Sequence, residues 1–295
     1  MISERELKAL VRLLDDTDIE VLDHVTQKIR SLGPHSIPVL ENAWESASSL
    51  IIQERLETII QQIHFDNTKD RFKYWLGSED HNLLDATILI ARIHYPELDE
   101  HQIYNKIDKI KQAIWLELHS GLTTLEEVNI MNQIFYVLHG FIGEQKPNPD
   151  PDLGFINKVL ESHRGNSISL GILYLILAQK MDVLVYGVNL PYHFILCATN
   201  KLLTNNDLEN YSQEQSVMFY INPLNKGLVF SRSEITHYLE QSKINAADRY
   251  YAPCSNIAII KTLIFNQIFC FKQKGDDIKV EMFQDLLALI NNWGE

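Results

Sequence analysis

The segment from Ile168 to Lys180 constrains this chain most. Ile168, Leu170, Ile172, Leu173, Leu175, Ile176 and Leu177 fall on every side of a helix. A helix with no polar face must be surrounded by protein. Its uncharged apolar stretch, Ile168 to Ala178, is far short of the ~20 residues that cross a bilayer. The segment therefore predicts a buried central helix, and the rest of the chain has to supply its surroundings. With 295 residues the chain can bury roughly three quarters of its unfolded surface, so it needs no metal or disulfide staple.

Before that segment the pattern is helical. Ser3 with Glu6 and Thr17 with Glu20 have capping-box spacing. Leu7, Leu10, Val11 and Leu14, then Val21, Leu22, Val25, Ile29 and Leu32, form apolar stripes at helical period. Gly33 followed by Pro34 marks a helix stop. A third helix opens at Ile37, and a fourth is expected from about Ile51 to Ile63. The stretch "LLDDTDIEVLDHVTQKIRSLGPHSIPVL" resembles a HEAT-type repeat with a period of roughly 40 residues; a plain helical hairpin capping the next domain accounts for it equally. Helical runs follow over Leu83–Ile93, Ile103–Leu118 and Leu125–Leu138, the last capped by Thr123 or Thr124 with Glu126 or Glu127. "GEQKPNPDPDL", with three prolines, cannot be a helix interior.

After the central helix the period changes. Val183–Val188, His193–Ala198, Val217–Ile221 and Leu228–Phe230 are short runs rich in β-branched and aromatic residues. Ser231 with Glu234 caps another helix, and Ile257 to Leu289 predicts two helices joined near Gly275. The expected class is α+β, with residues 1–75 a helical HEAT-like region. Residues 76–295 would form the second domain: a helical layer over 76–145, a core over 146–250 and C-terminal helices over 251–295.

Charge and motif content exclude several functions. The chain carries 26 basic and 39 acidic residues, a net charge of −13. That speaks against nucleic acid and anionic membrane surfaces as partners. The three cysteines, Cys197, Cys254 and Cys270, have no metal or redox spacing. Without a signal core at the start, this composition leads us to expect a cytoplasmic protein. No phosphate-cradling glycine motif is present, and no two of the eleven His lie three to five residues apart. No metal and no cofactor are expected.

Three pieces of the middle region stand together: "RGNSISLGILYLILAQK", "GVNLPYHFILC" and "INPLNKG". They place Arg164-Gly165 before the buried helix, His193 on the strand after it, and Asn222 at the end of the next. In this order they resemble the transglutaminase-like superfamily, specifically its SirB-type bacterial branch. The resemblance covers most of Asp80 to Leu239. It implies a papain-like core, in which a nucleophile at the N-terminus of a central helix faces a sheet bearing His and then Asp or Asn. The geometry makes independent chemical sense. A helix N-terminus carries about half a positive charge and free N–H groups, which favour a thiolate or an oxyanion.

This sequence departs from that pattern at two positions. Where active members of the superfamily have Cys, two residues after the Gly, it has Ser167; in the SirB-type branch that position is usually Pro, followed two residues on by a Ser, here Ser169. Asn222 stands where the superfamily usually has Asp. Cys197 cannot substitute, because it lies four residues beyond His193 on the same strand, roughly 13 Å away. A serine leans on a carboxylate behind its base, and exchanging that carboxylate for an amide costs about 10⁴ in rate in the serine-protease template.

The candidate catalytic positions are therefore Ser167, Ser169, His193 and Asn222, with Arg164, Gly165, Asn189 and Tyr192 as residues that shape the pocket. Each has a plain structural reading as well. Both serines can belong to the first turn of the helix under an Asn166 cap, and about 200° apart they cannot both face His193. His193 can be a buried histidine satisfied locally, Asn222 before Pro223 can start a turn, and Arg164 can pair with Glu161. Two functions remain open. One is a non-catalytic binding or regulatory scaffold whose N-terminal helices meet a protein partner. The other is a hydrolase or acyltransferase with a Ser–His–Asn set.

Overall fold

The computed structural model describes residues 4–16, 18–145, 149–204, 207–208 and 217–293. The expected caps Ser3 and Thr17 lie outside the described residues. The chain divides into two compact units, Met1–Tyr74 with Arg92–Pro96, and Trp75–Ala91 with Glu97–Glu295.

The first unit is helical: α1 (Glu4–Arg12), α2 (Ile19–Arg30), α3 (Ile37–Ser46) and most of α4 (Leu50–Leu76). Leu7, Leu14, Val25, Ile29, Leu40, Leu56 and Ile63 form its core. Asp18 caps α2 by accepting a hydrogen bond from the backbone N–H of Glu20 at 2.9 Å. Gly33, at φ 69°, turns the chain out of α2 into a short turn beginning at Pro34. Helix α4 runs 13 residues beyond its expected end at Ile63. Nothing in 64–76 breaks a helix, because that stretch holds neither Gly nor Pro and its Phe72, Trp75 and Leu76 are buried.

The second unit contains α5 (Leu83–His94) up to Ala91, α6 (Glu100–Glu117), α7 (Thr124–Asn132), α8 (Ile156–Ser162), α9 (Ser167–Lys180), α10 (Arg232–Gln241), α11 (Asn256–Lys274) and α12 (Asp277–Asn291). Helix α6 buries Ile103, Ile107, Ile110 and Ile114 along one stripe. A full capping box joins Thr123 and Glu126 at the start of α7. The expected α-helix to Leu138 instead changes at Gln133 into a π-helical turn over Gln133–Leu138. Its wider turns bring the consecutive side chains of Ile134, Phe135 and Tyr136 into the core.

Four antiparallel strands, β3 (Val185–Leu190), β4 (His193–Thr199), β5 (Val217–Asn222) and β6 (Leu228–Phe230), form a sheet in sequence order. Two short strands, β1 (Ile142–Gly143) and β2 (Arg164–Gly165), pair in parallel just before α9. Every residue of α9 from Ile168 to Ala178 is buried, and the helix packs on β3 and β4. The approach is close at Gly171, where a Cβ would come within 2.6 Å of the Phe194 ring. On another side, α11 and α12 form a hairpin that turns at Gly275, φ 73°, and the rings of Phe271 and Phe283 stack at 5.7 Å. Among the described residues no helix is long and apolar enough to cross a membrane.

Candidate functional site

The start of α9 is built by its own sequence. Helix α8 ends on His163 in the left-handed region, φ 57°, and the two residues of β2 lead straight into Asn166. The Asn166 carboxamide caps α9 by accepting from the Ser169 N–H at 3.0 Å and donating to Asn266 Oδ1 at 3.1 Å. Ser169 Oγ donates to the Leu153 carbonyl at 2.5 Å, and the residue is 4% exposed. Gly165 lies against this hydroxyl, since a Cβ there would sit 2.6 Å from Ser169 Oγ. Ser167, two residues earlier on the helix, is half-buried and faces elsewhere: it lines the cleft that also holds His193 and Asn222.

His193 closes the β3–β4 hairpin, opposite Leu190. The two-residue link is Pro191–Tyr192, and Tyr192 takes φ 63°, a conformation costly for any residue with a Cβ. Helix α10 holds this turn in place: Tyr238 Oη donates to the Pro191 carbonyl at 2.9 Å, and the Tyr238 ring meets the His193 imidazole edge-on, centroids 5.3 Å apart. Burial disfavours the imidazolium and lowers the pKa of His193 below its ordinary value. Asn222 ends β5. Its Oδ1 accepts from the backbone N–H groups of Leu224 and Asn225, at 3.0 and 3.2 Å, and so shapes the turn through Pro223. Tyr136 Oη fixes the same turn by donating to the Pro223 carbonyl at 3.0 Å.

The cleft so formed has a volume of about 280 Å³. Its polar lining is Ser167, His193, Asn222, Glu234 and Tyr238; its remaining walls are apolar, among them Leu190, Phe194, Leu228, Phe230 and Ile235. Among the described residues, neither Ser167 Oγ nor a ring nitrogen of His193 has a hydrogen-bond partner. The structure thus brings three of the four candidate catalytic residues to one cleft and turns the fourth, Ser169, into the loop that precedes α9.

The other candidates lie around it. Gly165 sits beneath the helix start. Arg164 is exposed and pairs with Glu144 at 2.9 Å rather than with Glu161, which pairs with Lys158 at 3.0 Å. Asn189 Oδ1 accepts from Thr262 Oγ1 at 3.0 Å and lines a separate, more open pocket of about 730 Å³. Tyr192 is 88% exposed at the hairpin tip and borders neither cavity. Glu234 and Tyr238 were not singled out from sequence as lining residues. Their only signal there is their spacing of four on a capped helix, which places them on one face.

No cysteine lines the cleft. Burial pushes the Cys197 thiol far above its ordinary value, Cys254 up to about 12 and Cys270 up to about 11. Among the described residues no group of three or more His, Cys, Asp or Glu could hold a metal ion.

A family model described as the transglutaminase-like superfamily matches residues 101–264, more than half of the chain. A UPF0162 protein of Xylella fastidiosa is 29% identical over 121 residues, 39% of this chain and 41% of that protein. A UPF0162 protein of Vibrio cholerae is 31% identical over 97 residues, covering 33% and 31%. Protein SirB1 of Salmonella typhimurium is 24% identical over 114 residues, covering 39% and 42%. The chain thus spans about two fifths or less of the length of these curated relatives. No solved structure matches it significantly.

Proposed function

Because the chain belongs to the transglutaminase-like superfamily, we propose that it keeps the superfamily's cleft as a binding or regulatory site without acyl-transfer chemistry. Ser167 stands at the start of the central helix, where the resemblance places the thiol. The observation that carries this reading is the use already made of the polar groups. Asn222 Oδ1 is occupied by two backbone N–H groups, Ser169 Oγ by the Leu153 carbonyl, and Ser167 is not bonded to His193. A hydroxyl nucleophile needs a base within hydrogen-bond reach, and that base needs an orienting acceptor. In this reading the N-terminal helices, a HEAT-like pair, form the surface that meets a protein partner, and the three free cysteines suit a cytoplasmic protein.

A second reading rests on one observation: Ser167, His193 and Asn222 share a cleft. As a hydrolase or acyltransferase, the protein would use Ser167 as nucleophile, His193 as base and Asn222 as orienter. A fluorophosphonate probe decides between the two. No labelling of the folded protein is expected. Labelling of Ser167 that disappears in His193→Ala would overturn the non-catalytic reading.

A further inference from the structure

The cleft holds only about 280 Å³, just below the ~300–1,000 Å³ of ordinary small-molecule sites. That is room for a single side chain. Its walls are apolar apart from the five polar residues already named, and Glu234 is the one carboxylate among them. This carboxylate is held in place, since its Oε2 accepts from both the N–H and the Oγ of Ser231, at 2.7 and 3.0 Å. The adjacent Arg232 does not offset it within the cleft, because its guanidinium lies over the Tyr251 ring at 3.9 Å.

Strand β6 is last in the sheet order, and among the described residues no further strand pairs with it. An edge strand offers unpaired backbone groups to another extended chain. Leu228 and Phe230, two apart on β6, share one face of the sheet, and both line the cleft. A strand added beyond β6 would set its own alternate side chains beside these two, over the cleft mouth.

We propose that the cleft receives one large apolar side chain from an extended, basic peptide segment of a partner protein, the segment lying along the open edge of β6. This rests on the reading of the cleft as a binding site. The apolar walls select the inserted side chain, the strand edge selects the extended backbone, and Glu234, in a chain of net charge −13, selects a Lys or Arg two residues away, on the same face of the added strand.

The test is a titration of ¹⁵N-labelled full chain, followed by NMR, with three blocked pentapeptides whose first, third and fifth side chains share one face of an extended strand: acetyl-Lys-Thr-Phe-Thr-Lys-amide, acetyl-Lys-Thr-Gln-Thr-Lys-amide and acetyl-Glu-Thr-Phe-Thr-Glu-amide. The first is expected to shift the signals of His193, Leu228 and Tyr238. The glutamine peptide should bind at least about tenfold more weakly, the value of burying one large apolar side chain. The acidic peptide should also bind more weakly, and that difference should shrink in Glu234→Gln, which keeps the capping geometry. Leu228→Lys, at a residue already 55% exposed, should abolish the shifts. Equal binding of the phenylalanine and glutamine peptides, shifts away from the cleft, unchanged binding by Leu228→Lys, or no shifts at millimolar peptide would each overturn the proposal. None of these touches the non-catalytic reading, which falls separately if the bound peptide's terminal amide is hydrolysed.

Discussion

Gly165 and Ser169 should behave as one unit, and a double-mutant cycle reads the coupling. Gly165 is outside the left-handed region, so alanine is opposed there by contact alone: its Cβ would meet Ser169 Oγ at 2.6 Å and the Leu170 side chain at 3.0 Å. Ser169 Oγ cannot swing away without giving up its bond to the Leu153 carbonyl. Overpacking costs about 1–3 kcal/mol and the lost hydrogen bond about 1 kcal/mol. Restricting the unfolded chain returns about 0.4–1 kcal/mol. Gly165→Ala should therefore destabilise by about 1–3.6 kcal/mol. Ser169→Ala alone should cost about 1 kcal/mol, because the Leu153 carbonyl keeps the Asn166 N–H as a second donor at 3.2 Å. With the hydroxyl removed there is no Ser169 hydrogen bond left to lose and no Oγ for the new methyl to meet, so Gly165→Ala should cost at least about 1 kcal/mol less than in the parent, which is the coupling. Native-state hydrogen exchange of the α9 amides measures this within the second unit. Strict additivity would show that Gly165 and Ser169 are not in contact and would refute the account of the helix start.

Further tests address the rest of the site. His193 and His139 both have pKa values held below the ordinary 6.5, chiefly by burial, with His163 adding to the effect at His139. Each binds its proton more readily when unfolded, so their contribution should be complete above about pH 6.5 and should drain away as pH falls from there towards their folded values. Urea midpoints between about pH 8 and 5 follow this, and His193→Gln should flatten the acid limb. Asn222→Asp should preserve the turn, since a carboxylate accepts the same two N–H bonds, while raising the His193 pKa towards its ordinary range. An unmoved His193 titration by NMR would place the two side chains too far apart to interact. Leu173→Ala, at a fully buried position of α9, should cost about 2–5 kcal/mol by calorimetry or denaturant.

Patterning exposed the elements whose surroundings are written into their own residues. Helix α9 was legible because its apolar residues run all round. The strands Leu228–Phe230 and His193–Thr199 were legible from their branched and aromatic runs, and the start of α10 from Ser231 and Glu234. Features set by distant partners were not legible. Helix α8 and the β1–β2 pair are too short to carry a period. The π-helical turn depends on what Phe135 and Tyr136 pack against, the π turn itself leaving no local composition cue. At the site, the two serines could be separated by helix geometry, but only the Leu153 carbonyl shows which one is tied down. Asn189, expected to shape the same pocket as His193, instead pairs with Phe194 on β3 and accepts from Thr262, beside a different cavity.

The α11–α12 hairpin reaches further into the molecule than its place at the end of the chain suggests. The family match stops at residue 264, within α11. Beyond that point Gln267 Nε2 still donates to the Pro151 carbonyl at 3.2 Å, and Phe271 sits between Phe155 and Phe283. Pro151 and Phe155 belong to the short stretch that sets the entrance of α9. An expression fragment clipped at the match limit would strip the buttress from behind that entrance and leave a greasy scar where Phe271 had been. Anyone excising the second unit should carry it through to Trp293, so that the stretch leading into α9 keeps its support.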